Sequence, residues 1–185
     1  MNVNQKKIVK YYTTPETKLG FDYVLSGSKH FGFYPKGKTG ISEKKAQILL
    51  QDLVAKNLHL NKNQTVLDAG CGQGIVSTYL AKKYKIKISG ITLVPFEVEK
   101  AQKRAKYLDV LNKIQYEIMD YSATRFPDNY FDAIYTTETL SHSPNIRKTL
   151  KEFFRILKPG GGLRFLSIPL LQMKTFQRGK GKCLT

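Results

Sequence analysis

Cysteine and histidine are scarce in this chain, and their scarcity excludes two kinds of protein. The sequence has two cysteines, Cys71 and Cys183, and three histidines. Two cysteines cannot build a disulfide scaffold, and no cysteine or histidine stands at the spacing of a zinc ligand set. We therefore expect no metal site and a reducing, cytoplasmic setting.

Long apolar runs are also missing. The longest stretches, such as LRFLSIPLL, fall far short of the roughly 20 residues that a membrane-spanning helix needs. The N-terminal stretch MNVNQKKIVKYY is charged and lacks the apolar core of a signal peptide. The chain is therefore expected to be soluble, without a transmembrane segment.

Acidic residues are in deficit, because 14 Asp and Glu face 31 Lys and Arg, for a formal net charge of +17. Such a charge is typical of proteins that bind nucleic acid. However, 25 of the basic residues are lysine and they are dispersed along the chain, which favours a solvated basic surface over a nucleic-acid groove. An anionic substrate or a peripheral membrane contact remains open.

What the chain does contain is a regular alternation of strand and helix patterns. Before it, Ser42 is expected to cap a helix that extends to about residue 58. The predicted strands are 64–69, 85–92, 113–119, 131–137 and 161–168, and the helices between them are 74–84, 96–111 and 143–157. This alternation predicts an α/β fold with a doubly wound, mostly parallel sheet of five strands.

Three segments follow from these patterns. Residues 1–40 are rich in aromatics and turn formers, which predicts loops and short helical pieces that form a lid. Residues 41–169 form the α/β domain. Residues 170–185 carry glycines among basic residues and are expected to be a disordered basic tail.

The strongest local signal is the glycine-rich stretch VLDAGCGQG at residues 66–74, between the first strand and its helix. Its spacing is GxGxG, whereas a dinucleotide fingerprint would be GxGxxG. Asp68, at the end of the strand, would repel a pyrophosphate and favour a cation. The turn therefore predicts a cationic, nucleotide-like ligand, and S-adenosylmethionine is such a molecule.

Five segments of the chain resemble the class I S-adenosylmethionine-dependent methyltransferases, in the tocopherol, sterol and cyclopropane-type subgroup. They are KHFGFYPKGKTGISEKKAQ, VLDAGCGQG, GITLVPFEVEKAQKRA, FPDNYFDAIYTTETLSHSPN and EFFRILKPGGGLRF. The resemblance covers roughly residues 20–170 and implies a Rossmann-like methyltransferase fold with S-adenosylmethionine as cofactor. Because family members normally add two further strands, it also implies a C-terminally truncated sheet whose open edge a homodimer or the tail would cover.

The resemblance implies a set of donor-binding residues. They are Asp68, Gly70, Cys71, Gly72, Gly74, Thr92, Leu93, Glu97, Asp120 and Tyr121. Asp68 would face the amino-acid part of the donor, and Asp120 would accept the adenine amino hydrogen, unless it is an ordinary turn residue. Glu97 stands where the subgroup's GITLSPxQ pattern has Gln. It would accept both ribose hydroxyl protons, or else be an exposed first-turn Glu.

The resemblance places the catalytic residues just after the fourth strand. Glu138 and His142 occupy the positions of an E-x-x-E-H pattern that has lost its second Glu here. Either could act as a base, although His142 could instead cap the following helix. An aromatic wall over the acceptor is expected from five residues of the lid. They are Tyr23, His30, Phe31, Phe33 and Tyr34.

The expected function is transfer of a methyl group to carbon, oxygen or nitrogen of a small-molecule or lipid-like acceptor. A nucleic-acid methyltransferase is the first alternative, but the fourth strand ends in TTET rather than in an NPPY-like motif, so a nucleic-acid partner is not favoured. The second alternative is a donor-binding fragment without catalysis, because the predicted sheet stops early.

Overall fold

The computed structural model describes residues 3–25, 27–37, 39–167, 170–178 and 183–184. The helices are α1 (Val3–Thr13), α2 (Pro15–Val24), α3 (Glu43–Asn57), α4 (Ile75–Tyr84), α5 (Pro95–Tyr107) and α6 (Ile146–Ile156). The strands are β1 (Thr65–Ala69), β2 (Lys87–Thr92), β3 (Ile114–Ile118), β4 (Phe131–Thr137), β5 (Leu157–Ser167), β6 (Leu170–Gln177) and β7 (Cys183–Leu184). Two short 3-10 helices lie at Leu111–Lys113 and Leu140–His142.

The strands form one sheet in the order β3-β2-β1-β4-β5-β6-β7. The first five in this order are parallel to their neighbours, with β1 in the centre between β2 and β4. The order reverses at β1, so helices before and after it cover opposite faces. The predicted α/β class and the five parallel strands are confirmed.

Side chains of β1 enter two different cores because successive residues of a strand point to opposite faces. Val66 packs in one cluster with Val54 of α3 and Leu80 of α4. Leu67 packs in the other cluster with Phe153 of α6. All four side chains are fully buried. Coverage on both faces explains why the central strands are rich in apolar residues on both sides.

Two helix starts follow from capping side chains. Ser42 is the predicted cap of α3, and its hydroxyl accepts a hydrogen bond from the backbone N–H of Lys45 at 3.4 Å. Helix α6 begins at Ile146 because the Asn145 side chain accepts from the backbone N–H of Lys148 at 3.0 Å. The alternative role of His142 as the cap of this helix is therefore wrong.

The N-terminal segment forms two regular helices rather than mostly loops. Helix α2 begins after Thr14, whose hydroxyl accepts from the backbone N–H of Thr17 at 3.4 Å, and Pro15 fits its first turn. We use the name lid for residues 3–37. The inward face of α1 lies over the carboxyl ends of the parallel strands.

The prediction of a disordered basic tail at residues 170–185 needs correction. Strand β6 pairs antiparallel with β5, with Leu163 opposite Phe176, and β7 pairs antiparallel with β6. The backbone N–H of Gly160 donates to the carbonyl of Arg178 at 2.9 Å, which closes the far end of this pairing. The reason is that β5 offers a full row of edge hydrogen-bonding groups, which an adjacent segment satisfies. Residues 179–182 and 185 of the predicted tail lie outside the described residues.

The sheet therefore has seven strands, with β6 and β7 beyond the five that were expected. Of the two expected ways to cover the edge of β5, the structure shows the tail, which removes the argument for a homodimer there. In the described ranges, no helix is both long and apolar enough to cross a membrane.

Candidate functional site

A cavity opens where β1, β2, β3 and β4 end, which is the edge at which doubly wound sheets bind ligands. Helix α1 and the loop after α2 cover it. Its lining comprises Ile8, Tyr12, Gly27, Ser28, Lys29, His30, Gly70, Cys71, Gly72, Gln73, Ile75, Val76, Thr92, Leu93, Val94, Glu97, Met119, Tyr121, Thr137, Glu138, Thr139 and His142. The cavity therefore combines residues of four strand ends with residues of the lid.

The glycine turn after β1 supplies one wall. The backbone N–H groups of Gly70 and Cys71 both donate to the carbonyl of Ile91 at 2.9 Å, which fixes the turn against β2. Gly70 has φ +92, and a Cβ there would overlap the side chain of Thr139. Gly74 is not among the lining residues, and a Cβ there would press on Tyr116, so this glycine serves packing. Gly70, Cys71 and Gly72 lie at the cavity as predicted.

Asp68 lies beneath the cavity rather than in its lining. The side chain is fully buried on the face of β1 that also carries Val66. Burial raises the pKa of Asp68 to about 7, and the hydroxyls of Tyr135 and Ser77 lower it in part without making well-formed hydrogen bonds. The expected direct contact of Asp68 with the donor therefore has no support in this geometry.

Glu97 is at the centre of the site. Its side chain is only 3% exposed, so it is not the ordinary exposed first-turn residue that was the alternative. One carboxylate oxygen accepts a hydrogen bond from the Thr92 hydroxyl at 2.8 Å, and the other forms an ion pair with the ammonium of Lys29. Leu93 lines the cavity between these elements.

Asp120 is not among the residues that line the cavity, and it contacts the lid. Its carboxylate accepts from the backbone N–H of Ser122 at 2.7 Å, which is a turn contact, and from the Gln5 side chain of α1, also at 2.7 Å. Tyr121 does line the cavity, and its hydroxyl donates to the carbonyl of Thr139 at 3.0 Å. Burial raises the pKa of Tyr121 to about 12, so it stays a neutral phenol.

The two predicted catalytic residues both face the cavity. His142 shares a 2.7 Å hydrogen bond between its Nε2 and the hydroxyl of Tyr12, which comes from α1. Burial, with the charge of Lys29 in addition, lowers the pKa of His142 below its ordinary value of 6.5, so the ring is neutral at pH 7. Glu138 has φ +56, a left-handed backbone conformation that turns the chain directly after β4.

The predicted aromatic wall needs correction. Of its five residues only His30 lines the cavity, and it is buried with its ring bonded to Gln51 and to the Phe31 carbonyl. The side chain of Tyr23 is 88% exposed, and Phe31, Phe33 and Tyr34 are exposed as well. Tyr12 and Tyr121 are the aromatic residues that line the cavity instead.

Several residues of the lid contact the site that were not predicted from the sequence. Gln5, Ile8 and Tyr12 lie three and four positions apart on α1, so they share one face. This spacing in the sequence could have predicted that the three side chains lie together on the inward face of α1. Ser28 and Lys29, from the loop after α2, had no such signal because a loop has no period.

A family model for a methyltransferase domain matches residues 66–161, which is more than half of the chain. The chain belongs to this methyltransferase family. A fungal S-adenosyl-L-methionine-dependent Diels-Alderase from Talaromyces variabilis is 30% identical over 167 residues, covering 89% of this chain and 57% of that protein. The chloroplastic tocopherol O-methyltransferase of Arabidopsis thaliana is also 30% identical, covering 85% of this chain and 47% of that protein.

Solved methyltransferase-like structures share the fold. The crystal structure of the [4+2]-cyclase SpnF superposes with a TM-score of 0.79 at 27% identity, over 89% of this chain and 60% of that one. The chain thus spans only part of the length of these three proteins, at 57%, 47% and 60% respectively. The match confirms the predicted relationship to the class I methyltransferases.

Proposed function

We propose that this chain binds S-adenosylmethionine and transfers its methyl group to a small-molecule or lipid-like acceptor. The observation that carries the proposal is Glu97, a buried carboxylate in the first turn of α5, next to a GxGxG turn that leaves room for a ligand. A carboxylate accepts two hydrogen bonds, which suits a ribose diol. The GxGxG spacing disfavours a dinucleotide in the same place.

The residues of the cavity fit this donor in type and position. The glycine turn offers close backbone approach and the first N–H groups of α4, Glu97 would hold the ribose, and Tyr121 would border the adenine. Asp120 is outside the lining and would have to release Gln5 to reach the adenine. Asp68 would act on the donor through its charge from beneath the cavity, without contacting the donor directly. When bound, the donor supplies an electrophilic methyl group on a sulfonium.

His142 is the base that the geometry favours. A neutral imidazole can accept a proton from an acceptor hydroxyl, amine or activated carbon, and the lowered pKa of His142 keeps it neutral. The Tyr12 hydroxyl holds the ring in place from the lid. Glu138 is a second candidate at the same strand end.

The acceptor is proposed to be largely apolar. Ile8, Met119 and the rings of Tyr12 and Tyr121 give the cavity apolar surface beside the two candidate bases. The tocopherol methyltransferase among the relatives supports a lipophilic acceptor of this kind.

Ring formation without methyl transfer is a second candidate function. Two of the similar proteins are described as a Diels-Alderase and a [4+2]-cyclase, and both match 89% of this chain. In such a role the donor would be bound but not consumed. Product analysis distinguishes the two, since methyl transfer yields S-adenosylhomocysteine and cyclisation does not.

Titration calorimetry with S-adenosylmethionine tests the proposal, with NAD as the negative ligand. Glu97→Gln should weaken donor binding about tenfold, because one charged hydrogen-bond acceptor for the diol is lost. Glu99→Gln is the matched control, since Glu99 lies on the same helix and is exposed. Absence of binding by a folded wild-type chain, or equal losses in both variants, would contradict the proposal.

We also propose that the outer face of α1 contacts an anionic membrane surface, from which a lipid-like acceptor would enter. This face exposes Lys6, Lys7 and Lys10 next to Val3 and Tyr11, and α1 has no acidic residue. Co-sedimentation with phosphatidylserine vesicles, but not with phosphatidylcholine vesicles, is expected. A cytoplasmic location stays a prediction, whereas the homodimer has lost its argument because β6 covers the edge of β5.

A further inference from the structure

The loop Gly27–Lys29 brings two polar side chains into the cavity that the proposed function does not yet use. Ser28 is 2% exposed, and within the described part of the chain its hydroxyl has no hydrogen-bond partner. A buried hydroxyl without a partner is costly, so it marks a place for a ligand atom.

Lys29 is the permanent cation of this site. Among the described residues that line the cavity, it is the one with a fixed positive charge, whereas Glu97 and Glu138 are carboxylates and His142 is held neutral. Its ammonium pairs with Glu97 and lies 3.8 Å from the centre of the Tyr12 ring. An anionic ligand group in this cavity would therefore need Lys29.

The stem of Lys29 runs over the glycine turn. Its Cδ lies 3.8 Å from the position that a Cβ on Gly72 would occupy, so the side chain bridges the turn and Glu97. The lysine stem is long and flexible, which lets the ammonium change partners without movement of the loop.

S-adenosylmethionine offers groups that match both ends of this bridge. Its ribose diol donates hydrogen bonds and suits Glu97, while its one anionic group, the amino-acid carboxylate, needs a cation. As long as Lys29 is paired with Glu97, Glu97 is not free to bind the ribose diol and Lys29 is not free to bind the carboxylate.

Resting on the proposed function, we propose that Ser28 and Lys29 form the subsite for the donor carboxylate. On binding, the Lys29 ammonium passes from Glu97 to that carboxylate, and the ribose diol takes its place on Glu97. The Ser28 hydroxyl donates to the same carboxylate. Lys29 thereby makes the affinity of the site depend on the amino-acid part of the ligand.

The test compares binding of S-adenosylmethionine and S-adenosylhomocysteine with binding of methylthioadenosine, which has the ribose and adenine but no amino-acid part. Lys29→Met should weaken binding of S-adenosylmethionine and S-adenosylhomocysteine about 10- to 100-fold, as expected for loss of a buried charged hydrogen bond. Binding of methylthioadenosine should be unchanged or tighter. Ser28→Ala should act in the same direction by about two- to tenfold. Lys29→Arg should retain most of the affinity.

Lys18→Met is the matched control, because Lys18 belongs to the lid but lies over the Phe96 ring, outside the cavity lining. It should leave all three ligands unaffected, and circular dichroism should show that each variant is folded. If Lys29→Met weakens binding of all three ligands equally, Lys29 has only a structural role in the lid and the proposal is wrong. Tighter binding of S-adenosylmethionine would make Lys29 only a competitor for Glu97.

The same experiment separates this proposal from the proposed function. If the wild-type chain binds none of the three ligands, the function itself is refuted. If it binds methylthioadenosine as tightly as S-adenosylmethionine, the donor site stands and the carboxylate subsite does not.

Discussion

Asp68 gives the sharpest test of how this site is built, because its burial ties chain stability to pH. Burial raises the pKa of its carboxyl from the ordinary 3.8 to about 7 in the folded chain, while the unfolded chain keeps the ordinary value. Between these two values the folded state binds more protons than the unfolded state. The free energy of unfolding must therefore fall as pH rises through this window, and stay low above it.

The size of the effect follows from the width of the window. The window from 3.8 to about 7 is about three units wide, and each unit corresponds to about 1.4 kcal/mol. The part of it from about pH 5 to about pH 7 therefore costs roughly 3 kcal/mol. Asp68→Asn removes the titration and keeps the shape of the side chain. The difference in the free energy of unfolding between the variant and the wild type should therefore grow in favour of the variant by about 3 kcal/mol from pH 5 to pH 8.

Urea unfolding followed by circular dichroism at several pH values measures this difference. Glu99→Gln serves as the control, because it makes the same kind of change, carboxylate to amide, at an exposed position outside the core. If Asp68→Asn and the wild type lose stability in parallel across the window, the carboxyl is not perturbed and the reasoning about its burial is wrong.

Two further predictions concern the turn and the base. Gly70→Ala should lower the free energy of unfolding by about 2 kcal/mol or more, because φ is +92 and the new Cβ overlaps Thr139. The control Gly20→Ala lies in α2 with open space around it and should raise the free energy of unfolding by up to about 1 kcal/mol. Similar values for the two variants in urea unfolding would refute this. In methyl-transfer assays, His142→Gln should lower kcat with little change in donor Kd. Wild-type kcat should decline as pH falls through a pKa below 6.5, because the protonated ring cannot accept a proton, and a variant with the same profile would exclude His142 as the base.

The central part of the fold could be predicted from the sequence because its signals are local. Each predicted parallel strand matches an observed one within a few residues, apart from the fifth strand, which begins at Leu157 instead of 161. Apolar runs, helical periods and the cap at Ser42 all act within a few residues of where they stand. Strand β6 was missed because its pairing with β5, rather than its own composition, makes it a strand.

Asp68 shows that a motif locates a residue without fixing its direction. Its place at the end of β1 is local and was predicted, but its side chain follows the alternation of the strand. Leu67 and Ala69 point to one core, so Asp68 shares the opposite face with Val66. The period of two was present in the sequence and predicts burial under the sheet face rather than contact with a ligand.

Glu97 shows that the partners of a buried charge can be predicted only in part from the neighbouring sequence. A carboxylate that is 3% exposed persists only with partners, and one of these, Thr92, is five residues away and can be found from the local pattern. The other, Lys29, is 68 residues away, one of 31 basic side chains, and only the docking of the lid selects it. The contact that neutralises Glu97 also covers the cavity. The lid is therefore part of the donor site, and this ion pair has to rearrange before a ribose can reach the carboxylate.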